Sequence, residues 1–177
     1  NLIDSPHRAL ENGIGYVSKN RDLEALFLRA NIKMNITYPS LDDVSNFILI
    51  NPKKEKEFVQ KQVEALKIKC NSIEQEVRSL SGGNKQKVVF GKWLGNNSKI
   101  LILDCPTRGV DVGVKAAMYQ LMASLKKNGT SILLISEELP ELIGMSDRIV
   151  VLKAGRIVGE FMRSPALTEH DIIHKII

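Results

Sequence analysis

Long apolar runs, cysteine and aromatic residues are all scarce in this sequence. Dense apolar runs such as Ile100–Leu103 and Ile132–Ile135 are four residues long, whereas a membrane helix needs about 20 apolar residues. Aromatic residues make up 5% of the 177 residues, and the two cysteines, Cys70 and Cys105, have no His or second Cys at ligand spacing. These absences argue against a membrane-spanning segment, a disulfide scaffold and a zinc module, and they favour a reducing compartment.

A strong excess of one charge is also missing. Lys and Arg number 25 against 20 Asp and Glu, which gives a formal net charge of +5, and the two signs are interspersed. This balance permits a nucleic acid or phosphate partner but does not require one. The chain begins at Asn1 rather than at a Met and shows no signal peptide, so we expect a piece of a longer soluble protein.

The second half of the sequence alternates between strand and helix patterns. Ile100–Asp104 is an apolar run that predicts a parallel strand buried on both faces, and Ser131–Ser136 predicts a second buried strand. Between them, Val112–Lys127 predicts a helix. The segments Arg148–Leu152 and Arg156–Phe161 predict an antiparallel hairpin. Strand, helix and strand in alternation are typical of an α/β fold with a parallel sheet.

Residues 32–95 carry a helical pattern instead. Apolar residues at helical spacing form one face, and lysines, which we interpret as solvated, decorate the other. The apolar positions are Phe58, Val59, Val63 and Leu66. The sequence therefore predicts a helical insert ahead of the parallel strands.

The turn Ser81-Gly82-Gly83 is the most informative feature for chemistry. Two glycines leave backbone amides unshielded where a helix begins, and converging N–H donors at the positive end of a helix dipole bind anions such as a terminal phosphate. Asn84 can cap this helix or add a donor, and Lys85 and Lys87 raise the local positive potential. A flexible turn with a serine N-cap is the alternative reading of the same residues.

The string Leu80-Ser-Gly-Gly-Asn-Lys-Gln86 resembles the signature of ABC ATPases, and further motifs follow in that family's order. Ile100–Asp104 resembles the Walker B strand, Gly109–Asp111 the D-loop, Ser136–Glu138 the switch loop and Tyr16–Lys19 the Q-loop. Finer matches, such as Pro106–Gly113, are similar to the carboxy-terminal half of the tandem ATPases of ribose, galactose and xylose importers.

This resemblance implies a truncated P-loop NTPase-like core with an inserted helical signature subdomain and a C-terminal β-hairpin. Residues 1–30 and 98–177 would then form the core lobe, and residues 31–97 the signature subdomain. The cofactors would be ATP and Mg²⁺, with the metal held by Asp104 through water. The residues that would bind nucleotide are Ser81, Gly82, Gly83, Asn84, Gln86 and Asp104.

Several residues depart from the family pattern. The sequence contains no phosphate loop of the form G-x-x-x-x-G-K-[ST], which in the family precedes the segment that begins here. Cys105 occupies the position of the usual catalytic glutamate, where a thiol is a poor base and a small buried residue is the alternative reading. Glu137 occupies the position of the switch histidine, so no catalytic group is intact. Lys19 replaces the Q-loop glutamine, which leaves its coupling role open.

These retained and lost groups predict an asymmetric machine. The elements that serve a partner's nucleotide are kept, whereas those that would hydrolyse this half's own nucleotide are replaced. Asp111 is placed either to cap the following helix or to contact the dimer mate, and both roles are compatible. The fragment alone is expected to be inactive.

The resemblance also implies partners and a location. The partners would be a first ATPase half, membrane permease subunits and, indirectly, an extracytoplasmic sugar-binding protein, with no nucleic acid. The location would be peripheral, at the cytoplasmic face of the inner membrane. The alternatives are a nucleic-acid- or ribosome-associated ABC-type ATPase and a non-catalytic dimerisation or regulatory domain.

Overall fold

The structure is a computed structural model that describes residues 2–176. The strands are β1 (Ile14–Val17), β2 (Ser45–Asn46), β3 (Leu49–Ile50), β4 (Ile100–Asp104), β5 (Ser131–Ile135), β6 (Arg148–Lys153) and β7 (Arg156–Met162). The α-helices are α1 (Pro6–Glu11), α2 (Ile32–Thr37), α3 (Leu41–Val44), α4 (Pro52–Ala65), α5 (Gly82–Gly95), α6 (Val112–Lys127), α7 (Leu139–Met145) and α8 (Glu169–Ile176). A π-helical turn (Arg21–Ala25) and two 3₁₀ turns (Tyr38–Ser40 and Val77–Ser79) complete the regular structure. The chain divides between Leu133 and Leu134 into two compact units.

The first unit contains most of a three-stranded sheet in the order β1-β4-β5 and ends within β5. Strands β1 and β4 run parallel, with Ile14 opposite Ile100 and Val17 opposite Leu103. The predicted α/β fold with a parallel sheet is therefore confirmed. Because parallel strands end at a common edge, this register places Ser18 and Asp104 at the same end of the sheet.

The predictions that β4 is buried on both faces and that β5 is a second buried strand are wrong. Leu101 and Leu103 are buried, but Ile100 is 40% exposed, and in β5 Leu133 and Ile135 are 56% and 47% exposed. An apolar run shows that a strand is compatible with burial, but it does not show whether both of its faces are covered.

Helices α2, α4 and α5 pack together around buried side chains that include Ile36, Val59 and Phe90. The approach of α4 to α5 is close, because a Cβ on Gly95 would lie 2.5 Å from Cζ of Phe58. The predicted helical stretch is thus largely helical. It also contains a short antiparallel pair, β2 and β3, whose connecting residue Phe47 has a φ of 58° and which the apolar pattern does not predict.

The second unit contains the hairpin β6-β7, and here the prediction is confirmed. Ile149 and Val151 of β6 form a small core with Ile172 of α8. Ala154 and Gly155 make the turn with positive φ values of 49° and 75°. Within residues 2–176, none of the helices is both long enough and apolar enough to cross a membrane.

Candidate functional site

The turn before α5 presents a serine hydroxyl and the first amides of a helix. Ser81 is the N-cap residue of α5, with φ −62° and ψ 156°. Its hydroxyl accepts a hydrogen bond from Nδ2 of Asn84 at 3.0 Å. Ser81 therefore holds the cap position that the serine N-cap alternative names, but its side chain makes no capping hydrogen bond. The first N–H groups of α5 have no intrahelical acceptor and lie at the positive end of the helix dipole. This arrangement can bind an anion.

Asn84 connects the serine to the neighbouring loop. Its Oδ1 accepts from the backbone N–H of Lys69 at 2.9 Å while its Nδ2 donates to Ser81. The alternative that Asn84 caps α5 is therefore wrong, because Ser81 occupies the cap position. The contact fixes where the Ser81 hydroxyl lies before any ligand arrives.

The two signature glycines have different surroundings. A Cβ on Gly83 would lie 2.6 Å from Cγ2 of Val114, so Gly83 permits close packing of α5 against α6. A Cβ on Gly82 would meet Nη2 of Arg21 at 3.5 Å and the Gly109 carbonyl at 3.7 Å, which are ordinary contacts. Packing alone thus explains the glycine at 83 but not the glycine at 82.

The expectation that Lys85 and Lys87 raise the potential at this turn needs correction for Lys85. Nζ of Lys85 binds Oδ2 of Asp22 at 2.7 Å, so its charge is neutralised locally. Nζ of Lys87 donates to the Lys67 carbonyl at 2.9 Å. Burial lowers the pKa of Lys87, and repulsion from Lys69 and Lys67 lowers it further. Both ammonium groups therefore bind protein groups.

A cleft of about 230 Å³ lies at the end of β4. Lys19, Gln86 and Cys105 all line it, so the structure brings three of the predicted positions together. Gln86 is 3% exposed, and its Oε1 accepts from Nη1 of Arg21 at 3.5 Å. Cys105 is half-buried with a φ of 46°, which is a left-handed conformation that side chains rarely adopt and that recurs at functional sites.

Asp104 ends β4 half-buried, and its Oδ2 accepts a hydrogen bond from the Tyr16 hydroxyl at 3.3 Å. Burial raises the pKa of Tyr16, and the adjacent Asp104 carboxylate raises it further. No group of three His, Cys, Asp or Glu side chains in the described part of the chain could hold a metal. A single carboxylate suits Mg²⁺ only where phosphate oxygens and water supply the other ligands.

The remaining predicted residues lie elsewhere. Asp111 caps α6, with Oδ1 accepting from the Val114 N–H at 2.9 Å, so its capping role is confirmed. Glu137 is exposed in the second unit, in the loop between β5 and α7. The predicted nucleotide contacts of the signature residues, of Gln86 and of Asp104 stay predictions.

Sequence reasoning missed two residues of this region. Tyr16, which donates to Asp104, is named in the sequence only as the first residue of the Q-loop-like segment Tyr16–Lys19. Arg21 lies in what reads as a polar loop, yet its Nη1 donates to the Gly82 carbonyl at 3.0 Å. The signal for Tyr16 was its position in β1, one residue before the end of a strand that pairs with β4, whereas the sequence around Arg21 predicts no contact with the signature turn.

Comparisons with known proteins agree with this geometry. Residues 2–108 match the family model described as ABC transporter. A ribose import ATP-binding protein of Bacillus subtilis (strain 168) is 48% identical over 94% of this chain, and a xylose import ATP-binding protein of Thermoanaerobacter pseudethanolicus is 46% identical over 90%. The chain spans about a third of the length of these relatives, 34% and 32% respectively.

Solved structures show the same fold at low sequence identity. A dimeric post-hydrolysis state of an ATP-binding cassette bound to ADP and Pi superposes with a TM-score of 0.76 at 20% identity, covering 93% of this chain and 69% of that chain. A nucleotide-free cassette from an ABC transporter gives a TM-score of 0.70, with 98% and 68% coverage. With its signature turn and parallel sheet, and by its match to the family model, this chain belongs to the ABC transporter family.

Proposed function

We propose that this chain is the second nucleotide-binding half of an ABC importer for simple sugars and supplies its signature turn to a composite ATP site. The observation that carries the proposal is the start of α5, where Ser81 leaves the first amides of the helix uncapped and Asn84 holds the Ser81 hydroxyl in place. Sugar import in the names of two relatives supports the substrate class.

In this proposal the ATP and most of its ligands belong to the other half. Ser81 and the amides of Gly82 and Gly83 close over the triphosphate and stabilise the charge that develops on the transferred phosphoryl group, which is worth about 3 kcal/mol per well-placed donor. Asp111, at the start of α6, faces the same interface. ATP-driven closure is coupled to transport through membrane permease subunits, which receive the sugar from an extracytoplasmic binding protein. The chain is then peripheral, on the cytoplasmic face of the membrane.

The chain's own site is degenerate in this proposal. Cys105 replaces the general base and Glu137 the switch histidine, and a carboxylate at the latter position repels phosphate. Asp104 can hold Mg²⁺ through water if phosphate is present, and Lys19 lines the cleft beside Cys105. The fragment alone is inactive because neither a phosphate loop nor a base is available within it.

The test compares variants in the assembled transporter. Ser81→Ala and Gly82→Ala are expected to lower the kcat for ATP about 100-fold, whereas Cys105→Ala is expected to change it less than twofold. Gly144→Ala is the matched control for Gly82→Ala, because a Cβ on Gly144 meets no atom within 4 Å among the described residues. If Cys105→Ala abolished ATP hydrolysis while Ser81→Ala was silent, the asymmetric proposal would be wrong.

A further inference from the structure

Arg21 reaches from the turn after β1 to the first residue of the signature helix. Its side chain is 18% exposed. Its Nη1 donates to the Gly82 carbonyl at 3.0 Å and approaches Oε1 of Gln86 at 3.5 Å, while its Nε donates to Oδ1 of Asp22 at 2.9 Å. A planar guanidinium can make such contacts in several directions at once, which a lysine cannot do.

Two further contacts fasten the π-helical turn Arg21–Ala25 to α5. Nζ of Lys85 binds Oδ2 of Asp22 at 2.7 Å, and Nζ of Lys92 donates to the Ala25 carbonyl at 2.5 Å. These contacts hold the body of α5. Among the hydrogen bonds of the described residues, the bond from Arg21 is the one that links this turn to Gly82.

The Gly82 carbonyl and the Gly83 N–H belong to one planar peptide unit. Because a trans peptide is planar, fixing the direction of the carbonyl fixes the opposite direction of the N–H. Glycine on both sides of this unit gives it more rotational freedom than other residues would. The charged donor on the carbonyl also polarises the peptide and strengthens its N–H as a donor.

We infer that Arg21 is a positioning residue for the signature turn: it holds the Gly82 carbonyl so that the Gly83 N–H points at the phosphoryl group of the partner's nucleotide. The identity of the ligand in this inference rests on the proposed function. The structural part, that Arg21 holds the Gly82 carbonyl in place, does not depend on that function. Arg21 contacts no reacting atom in this arrangement. Its effect on phosphoryl transfer passes through the orientation of one peptide.

The structural part is tested by amide hydrogen exchange in the assembled transporter. The Lys85 N–H bonds the Ser81 carbonyl at 2.9 Å, and in an α-helix the Gln86 N–H bonds the Gly82 carbonyl. Arg21→Met removes every donor of the guanidinium while keeping much of the side-chain volume. The Lys85 and Gln86 amides are therefore expected to exchange about tenfold faster. Arg29→Met, at an exposed arginine nearby, is the matched control and leaves their exchange unchanged. Unchanged exchange in Arg21→Met would overturn the inference.

The functional part is tested by the kinetics of the same variants. Arg21→Met is expected to lower the kcat for ATP about tenfold per folded enzyme with KM unchanged, because the oriented amide acts mainly on the transition state. Arg21→Lys keeps one charged donor and recovers part of kcat, which a volume or folding defect would not allow. A wild-type kcat in Arg21→Met, or no recovery in Arg21→Lys, contradicts positioning.

Ser81→Ala, measured beside these variants, separates the two proposals. If Ser81→Ala is silent, the proposed function fails whatever Arg21 does. If Ser81→Ala is impaired while Arg21→Met is normal in kcat and exchange, the function stands and the role of Arg21 is wrong.

Discussion

Lys92 shows how one buried charge makes stability depend on pH. It is 8% exposed on α5, its ammonium donates to the Ala25 carbonyl and lies 5.8 Å from the centre of the Phe27 ring. Burial lowers the pKa of Lys92 to about 8. Between that value and the unfolded pKa of about 10.4, the unfolded chain binds one proton more than the folded chain.

The free energy of unfolding is therefore expected to gain a contribution on the order of 2 kcal/mol as pH rises from about 8 to about 10. Lys92→Met removes this contribution. The difference in free energy of unfolding between wild type and Lys92→Met, measured with urea at each pH, therefore isolates the contribution of Lys92 from those of cysteines and tyrosines, which ionise in the same pH range as a group. Parallel pH profiles for the wild type and Lys92→Met would contradict the low pKa.

For single residues, the sequence predicts which positions lie near the site better than it predicts the partners of their side chains. Gln86 is predicted to bind nucleotide and Cys105 to occupy the position of the catalytic glutamate, and both line the cleft at the end of β4. Lys85 is predicted to raise the positive potential at the signature turn but binds Asp22. A lysine next to a glycine turn has the same local sequence pattern whether it lies near a phosphate or pairs with a carboxylate. Lys85 pairs with Asp22 because the turn after β1 approaches α5 in the folded chain, and the local sequence does not predict that approach.

Helix α6 begins and ends at the residues that the sequence predicts. Asp111 caps its first turn, and Asn128 and Gly129, with a φ of 92° at Gly129, end it. These are local signals, which act whatever the rest of the chain does. The pair β2-β3 has no such signal, because Phe47 carries the positive φ at its turn where glycine or asparagine would announce it.

The two roles of Asp111 can be separated at this element. Asp111→Ala is expected to destabilise the protein by about 1 kcal/mol, because the Val114 N–H loses its side-chain acceptor. Asp111→Ser retains a capping oxygen and should unfold at nearly the wild-type urea concentration. If Asp111 serves only to cap α6, ATP hydrolysis by the assembled transporter is normal in Asp111→Ser.

If Asp111→Ser instead lowers ATP hydrolysis at unchanged stability, the carboxylate acts across the proposed interface as well. Equal stability of Asp111→Ala and the wild type would show that the cap contributes nothing measurable. Lowered hydrolysis in Asp111→Ser supports both roles that the sequence leaves open for Asp111. Equal stability of Asp111→Ala and the wild type excludes the capping role.

For the whole molecule, motif order predicts the fold more completely than it predicts the surface. The alternation of strand and helix patterns predicts a parallel sheet, and the structure shows that β1 pairs with β4 in it and brings Tyr16 and Asp104 together. The predicted lobe limits at residues 30/31 and 97/98 stay predictions. Burial could not be predicted, because it depends on which elements cover each sheet face, and apolar runs alone do not contain that information.

The exposed apolar side chains of the sheet predict how the 177-residue chain behaves alone. Tyr16, Ile100 and Leu133 are 44%, 40% and 56% exposed, and exposed apolar surface can bind hydrophobic dyes or other chains. The isolated chain is expected to enhance the fluorescence of 8-anilinonaphthalene-1-sulfonate and to self-associate in sedimentation velocity.

Ile100→Thr combined with Leu133→Thr should reduce both signals at least twofold. Val112→Thr, which changes one 84% exposed residue at the start of α6, is the control and leaves both unchanged. Equal dye binding by the sheet variant and the control would place the apolar surface elsewhere, with the β2-β3 tip as the next candidate, because Phe47 and Ile48 there are fully or nearly fully exposed.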